Sequence, residues 1–239
     1  MRTRVKICCI ASPEEAWLAI TAGADALGLV SLMPSGGNDI PDSAIAEIST
    51  LAPPFITTVL LTAETKADAI STHIRATNTT AVQIVAHIDP AESARLALIE
   101  PHIRRIQAIH VEDRGALDLI PAYEPRIHAF LLDSGRPGAA TPELGGTGRT
   151  HDWGISEQFI MATTRPVFLA GGLTAENVGD AVCTVRPFGL DVCSGVRTCG
   201  RLDPVKLSAF MDAVSCANEA AARYRRQTTC GSTPMPCQW

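Results

Sequence analysis

Val5-Lys6-Ile7-Cys8-Cys9-Ile10 runs through Ala11 into Ser12-Pro13-Glu14-Glu15-Ala16-Trp17-Leu18-Ala19-Ile20, and the pattern stops at Gly23. The first six residues form a short, mostly aliphatic run of the kind that fills a buried strand. Ser12 offers a helix N-cap, and Pro13 fits the first helical position, where no N–H is needed. Glu14 and Glu15 add the acids favoured in a first turn, and Gly23 closes the helix. The stretch is one strand–helix unit.

The same unit recurs. Further apolar runs are Ala26–Val30, Phe55–Leu61, Ala81–Val85, Ile106–Val111, Ala129–Leu132, Val167–Ala170 and Gly189–Cys193. With the first run they make eight candidate strands at a spacing of roughly 25 residues, room for a helix and two short loops in each gap. The gaps read as helices: Asp42 caps Ser43–Ser49, and helices follow over Thr65–Ala76 and from Asp89-Pro90 to Ile99. A weaker pattern covers Asp113–Ala122. Others start at Thr174-Ala175-Glu176-Asn177, ending near Thr184, and at Asp203-Pro204, ending near Arg225. Strict alternation of this count predicts a single-domain α/β fold, a (β/α)8 TIM barrel over residues 1–226, with a doubly wound open sheet as the alternative. Residues 227–239 are polar, contain Pro234 and Pro236, and read as a disordered tail.

Composition narrows the function. The 239 residues are 46% hydrophobic and carry a formal net charge of -5. Nothing in that balance recruits nucleic acid or an anionic membrane. No apolar run reaches the ~18 residues of a membrane span, and the N-terminus lacks a signal-peptide core, so a cytoplasmic protein is expected. The eight cysteines include no CxxC pair, which favours reduced thiols over a disulfide framework, and no Cys/His spacing suits a compact zinc site.

Chemistry in such a barrel gathers at the C-terminal ends of the strands. Those ends carry Cys8-Cys9, Asp133-Ser134, Gly171-Gly172, and Asp191 followed by Cys193-Ser194-Gly195. The most glycine-dense stretch, Glu143-Leu144-Gly145-Gly146-Thr147-Gly148-Arg149, follows the sixth strand. Alone it reads equally as a phosphate cradle or a surface loop. Placed beside Gly171-Gly172 and Ser194-Gly195, it reads as a lid on a phosphate site, because barrels often bind phosphate with the loops after strands seven and eight. His110, His128 and His151 read as structural or solvent-facing, and Trp153 as packing at the start of the sixth helix.

In order along residues 4–215, the chain carries Val5-Lys6-Ile7-Cys8, Ala22-Gly23-Ala24-Asp25-Ala26-Leu27-Gly28 and Leu131-Leu132-Asp133. Then come Gly145-Gly146-Thr147-Gly148 with Asp152-Trp153, Phe168-Leu169-Ala170-Gly171-Gly172-Leu173 with Glu176-Asn177-Val178, and Arg186-Pro187-Phe188-Gly189-Leu190-Asp191-Val192 with Ser194-Gly195-Val196. Together these resemble the phosphoribosylanthranilate isomerase family of tryptophan biosynthesis. The resemblance implies an Amadori rearrangement of N-(5-phosphoribosyl)anthranilate to 1-(2-carboxyphenylamino)-1-deoxyribulose 5-phosphate, with no metal and no organic cofactor. It implies Asp133 as general acid and Cys8 as general base, with Asp191 positioning the substrate. It also implies that Gly146, Gly148, Gly171, Gly172, Ser194 and Gly195 hold the phosphate. The acid role asks for a raised Asp133 pKa, from burial or from Asp191. The base role asks for thiolate at Cys8, and Lys6, of the same strand parity, could supply positive potential. Cys9 has the opposite parity and reads as packing. The resemblance also implies a small phosphoribosyl molecule as the partner, and a monomer or homodimer is expected.

Five positions depart from the family pattern. Gly37 stands where an arginine usually grips the anthranilate carboxylate, and Arg136 and Arg149 on the neighbouring loop are the candidate replacements. Cys9 follows the catalytic cysteine where glycine is usual. Thr62 replaces an asparagine, strand four continues Gln83-Ile84-Val85-Ala86-His87 without the usual histidine and glycine, and Arg197 replaces a glutamate. The alternatives are a phosphosugar-binding paralogue without turnover, or an isomerase of another phosphoribosyl amine. Retention of both Cys8 and Asp133 favours an enzyme, since binding alone needs neither.

Overall fold

In a computed structural model, residues 2–33, 39–135 and 150–228 are described, with side chains to residue 223. Eight parallel strands close into a barrel in sequence order: β1 (Arg4–Ile7), β2 (Ala26–Val30), β3 (Thr57–Thr62), β4 (Ala81–Ile84), β5 (Arg104–His110), β6 (Ala129–Asp133), β7 (Val167–Leu169) and β8 (Gly189–Val192). The last strand returns to the first, with Lys6 opposite Asp191 and Ile7 opposite Val192. The open-sheet alternative is thereby excluded.

Alternation along each strand splits the apolar residues into two cores. Val5, Ile7, Leu27, Leu29, Leu60, Val82, Ile84, Ile109, Phe130, Leu132, Leu169 and Leu190 face outward under the helices. Small and medium residues fill the barrel itself, among them Cys8, Ala26, Val59, Leu61, Ala81, Ala108, Leu131 and Ala170. Burying both faces is why these strands read as continuous apolar runs.

The surrounding helices are α1 (Pro13–Thr21), α2 (Asp42–Leu51), α3 (Ala67–Thr77), α4 (Pro90–Ile99), α5 (Ile120–Tyr123), α6 (Trp153–Ala162), α7 (Val178–Val185) and α8 (Pro204–Thr228). Ser12 caps α1 by accepting from Glu15 N–H, and Asp89 caps α4 by accepting from Ala91 N–H. Asp42 departs from expectation. It is the first residue of α2, whose N-cap is Pro41. Its carboxylate is taken instead by Ser31 Oγ at 3.1 Å and His73 Nε2 at 2.9 Å. The weak pattern at 113–122 is a 3-10 segment, Arg114–Leu119, followed by the single turn α5. Pro121 and Pro125 lack the N–H that a longer helix would need there. Thr174–Asn177 forms a turn ahead of α7, and α8 continues to Thr228, past the boundary expected at 226. The remainder of the expected tail, 229–239, lies outside the described residues. Among the described residues no helix is long and apolar enough to cross a membrane.

Candidate active site

The rim is built from β1 outward. Lys6 and Cys8 share one face of the chain, so both enter the barrel. The hydrogen-bond ladder continues one residue past β1, with Cys8 N–H donating to Val192 O at 2.8 Å. Room for two long interior side chains comes from Gly28 on β2. A Cβ there would lie 2.8 Å from Cys8 Sγ and 3.0 Å from Lys6 Cε.

Lys6 is 1% exposed, and its ammonium donates to Asp191 Oδ2 at 2.9 Å and to Cys8 Sγ at 3.5 Å. Burial disfavours that charge, yet the Asp191 carboxylate and the Cys8 sulfur outweigh it and hold Lys6 above its ordinary pKa. The ammonium therefore stays charged and offers the Cys8 sulfur a counter-charge in its anionic form. Asp191 Oδ1 is buried and meets no hydrogen-bond partner among the described residues. It is an acceptor left open beside the candidate base.

Asp133 ends β6, opposite His110 on β5. Burial raises its pKa; the Ser134 N–H donating to Oδ1 at 2.7 Å works against that rise, and repulsion from Asp191 adds to it. Asp191 holds Lys6 directly, whereas Asp133 is the carboxyl whose pKa burial raises. This is the direction an acid role requires. His110 is buried, donates from Nε2 to Val85 O at 2.9 Å, and leaves Nδ1 without a partner among the described residues. It fits the structural reading, but it also borders Asp133. His151 is half-buried, bonding Ser156 Oγ at 2.7 Å, and desolvation pulls its pKa down to about 4. Trp153 packs on the outer core at the start of α6.

The loops after β7 and β8 touch. Gly171 and Gly172 have φ of 85° and 59°, a backbone region open to glycine. A Cβ on Gly195 would lie 1.9 Å from Leu173 O, so only glycine allows the two loops to meet. Asn177 fastens the first loop, with Nδ2 donating to Gly172 O and Oδ1 accepting from Thr174 N–H, each at 2.9 Å. Among the described residues none accepts the N–H of Gly171, Gly172, Ser194 or Gly195. Four candidate residues, Arg136, Arg149, Gly146 and Gly148, lie outside the described residues, as does Gly37.

Arg197, noted only as a departure, proves to be an organiser of the rim. It is 7% exposed and pairs with Glu15 Oε2 at 3.1 Å. Its Nη2 also donates to the carbonyls of Cys8 and Cys9, and Nη1 to Gly200 O at 2.9 Å. Glu15 in turn accepts from Ala11 N–H and Leu202 N–H. The pair ties the loop holding Cys8 to the short hairpin Arg197–Leu202.

The sequence model of the N-(5'-phosphoribosyl)anthranilate (PRA) isomerase family matches residues 5–213. N-(5'-phosphoribosyl)anthranilate isomerase 2 of Methanosarcina mazei is 37% identical over 212 residues, 87% of this chain and 92% of that protein. The crystal structure of the Thermotoga maritima phosphoribosyl anthranilate isomerase superposes with a TM-score of 0.77 at 29% identity, covering 90% of this chain and 99% of that one. A phosphoribosyl anthranilate isomerase solved with reduced 1-(o-carboxyphenylamino)-1-deoxyribulose 5-phosphate superposes at 0.75 with 27% identity, over 90% and 99% of the two chains. With the closed barrel, the match over nearly its whole length places this chain in the N-(5'-phosphoribosyl)anthranilate isomerase family.

Proposed function

We propose that this protein catalyses the Amadori rearrangement of N-(5-phosphoribosyl)anthranilate to 1-(2-carboxyphenylamino)-1-deoxyribulose 5-phosphate in tryptophan biosynthesis. The observation that carries the reading is the pairing of one raised carboxyl, Asp133, with a thiol, Cys8, that shares the buried Lys6 with Asp191. An acid and a base of opposite protonation state are what the two proton transfers need.

Asp133 gives its proton to the ribose ring oxygen. The bond from that oxygen to C1 breaks, and the nitrogen lone pair forms the C1 iminium. The Cys8 thiolate then takes the C2 proton, and its electron pair neutralises the iminium to give the enolamine. Tautomerisation to the C2 ketone completes the isomerisation with no change in composition. Asp191 Oδ1 accepts from a substrate hydroxyl or the amine. Gly171, Gly172, Ser194 and Gly195 offer N–H groups to the phosphate, with Gly146 and Gly148 closing over it. Arg136 or Arg149 takes the anthranilate carboxylate in place of the arginine that Gly37 removes. The protein works in the cytoplasm, as a monomer or homodimer, without metal or organic cofactor.

The test is turnover of N-(5-phosphoribosyl)anthranilate by purified protein, with the ketose phosphate identified by mass. Absence of product from soluble, folded protein, or product from another phosphoribosyl amine instead, overturns the assignment. Arg136→Ala and Arg149→Ala then locate the clamp, which raises KM more than it lowers kcat.

A further inference from the structure

Cys9 and Cys193 form the one sulfur pair among the described residues that no step above uses. Their Sγ atoms lie 2.6 Å apart, across the ends of β1 and β8. Both residues stand as thiols, partly exposed at the mouth of the barrel.

The backbone makes this pairing unusual. Cys9 has φ of 62°, in the left-handed region where a side chain costs ~1 kcal/mol or more relative to glycine. Glycine would relieve that cost, yet the position carries a cysteine whose sulfur is aimed at another cysteine. Arg197 stands beside both. It donates to Cys9 O, and its positive charge helps the bond from Cys9 to lower the Cys193 pKa. The bond to Cys193, a weaker one to Cys8, and burial raise Cys9 in turn. Cys193 is the thiol that ionises first and Cys9 the one held in reserve, the arrangement of an attacking and a resolving thiol.

We propose that Cys9 and Cys193 are a dithiol couple that closes to an intramolecular disulfide under a low-molecular-weight disulfide oxidant, and that closure slows the isomerase. The Cys193 thiolate attacks one sulfur of the oxidant, forming a mixed disulfide and expelling one thiolate. Cys9 loses its proton to solvent and attacks the Cys193 sulfur, expelling the second thiolate. Two protein thiols are oxidised and one oxidant disulfide is reduced to two thiols, with protons balanced. The bond tethers the residue after Cys8 to the second residue after Asp191. It therefore displaces the Cys8–Cys9 peptide, whose carbonyls Arg197 holds, and shifts the sulfur that must meet the C2 proton. The effect on turnover rests on the isomerase reading, whereas formation of the bond does not.

The full-length protein is treated with oxidised glutathione and mapped by non-reducing peptide mass spectrometry. The expected result is a Cys9–Cys193 peptide with loss of about 2 Da on closure. Turnover falls by roughly tenfold or more, as misplacement of a reacting group does. Alkylation of Cys8 by iodoacetamide slows in parallel, a reading that needs no turnover. Dithiothreitol restores both. Cys193→Ser keeps the untreated activity and responds to neither reagent. Stable glutathione adducts without closure, a Cys8–Cys9 link, or closure with unchanged turnover and Cys8 alkylation overturns the proposal. Protein without turnover before treatment counts against the isomerase reading alone, and the peptide map and Cys8 alkylation still decide this one.

Discussion

Lys6 Nζ lies 2.9 Å from Asp191 Oδ2 across the seam where the last strand of the barrel meets the first, and the same ammonium reaches Cys8 Sγ at 3.5 Å. The two residues are also register partners on β1 and β8. One ion pair thus sits on the seam that closes the barrel and places a charge beside the candidate base.

Removing one member of that pair leaves a buried charge. Lys6→Met is expected to cost ~3–5 kcal/mol, as is Asp191→Asn in the opposite sense. The double variant recovers much of the loss. Urea unfolding of the four proteins measures this as a double-mutant cycle, and strict additivity would show that the two groups are not coupled.

Gly28→Ala puts a methyl within 2.8 Å of Cys8 Sγ. Overpacking of this kind costs ~1–3 kcal/mol. The larger effect is expected on kcat, because the displaced group is the proposed base. A variant with lowered stability and unchanged kcat would remove Gly28 from any role in placing Cys8.

Asp133 binds its proton more tightly in the folded chain than in the unfolded one, through burial and the nearby Asp191. Its contribution to stability is therefore full below the ordinary carboxylate pKa of about 3.9 and is lost as pH rises through the raised value. Asp133→Asn should melt higher than the parent at pH 7 while losing turnover, and the gain should shrink toward pH ~4. The kcat/KM of the parent should fall as pH rises through the same group. A lower melting temperature for Asp133→Asn at pH 7 would contradict the raised carboxyl.

Arg197→Ala frees the Cys8 and Cys9 carbonyls and strands Glu15. We expect loss of ~3–5 kcal/mol and a fall in kcat larger than the rise in KM. Glu15 is held below its ordinary pKa despite burial, by Arg197 and two backbone N–H groups. Its share of stability is present above about pH 4.3 and lost as pH falls through the lowered value. Glu15→Gln should flatten that acid limb, measured by thermal melts across the range.

These expectations also mark what the chain discloses before it folds. The strands were legible because both of their faces are buried, which leaves runs such as Ala26–Val30 and Ala129–Leu132 unbroken. Helix starts were legible where capping is local, as at Ser12 and Asp89. Asp42 misled because its carboxylate serves Ser31 and His73, contacts that only tertiary structure brings together. Cys8, Asp133 and Asp191 could be placed on one rim because each falls at the C-terminal end of its strand. The Arg197–Glu15 clamp could not, since its members lie 182 residues apart and Glu15 reads locally as a first-turn acid of α1. Gly28 was visible as part of a motif, but its purpose depends on the bulk of Lys6 and Cys8 on the neighbouring chain segment of β1.

The most direct measurement is growth of a tryptophan auxotroph lacking phosphoribosylanthranilate isomerase and expressing this protein, Cys8→Ser or Asp133→Asn. Growth with the parent and none with either variant, all three soluble, is the predicted result. No growth with soluble parent protein would contradict the assigned reaction, and growth with either variant would remove that residue from its proton transfer.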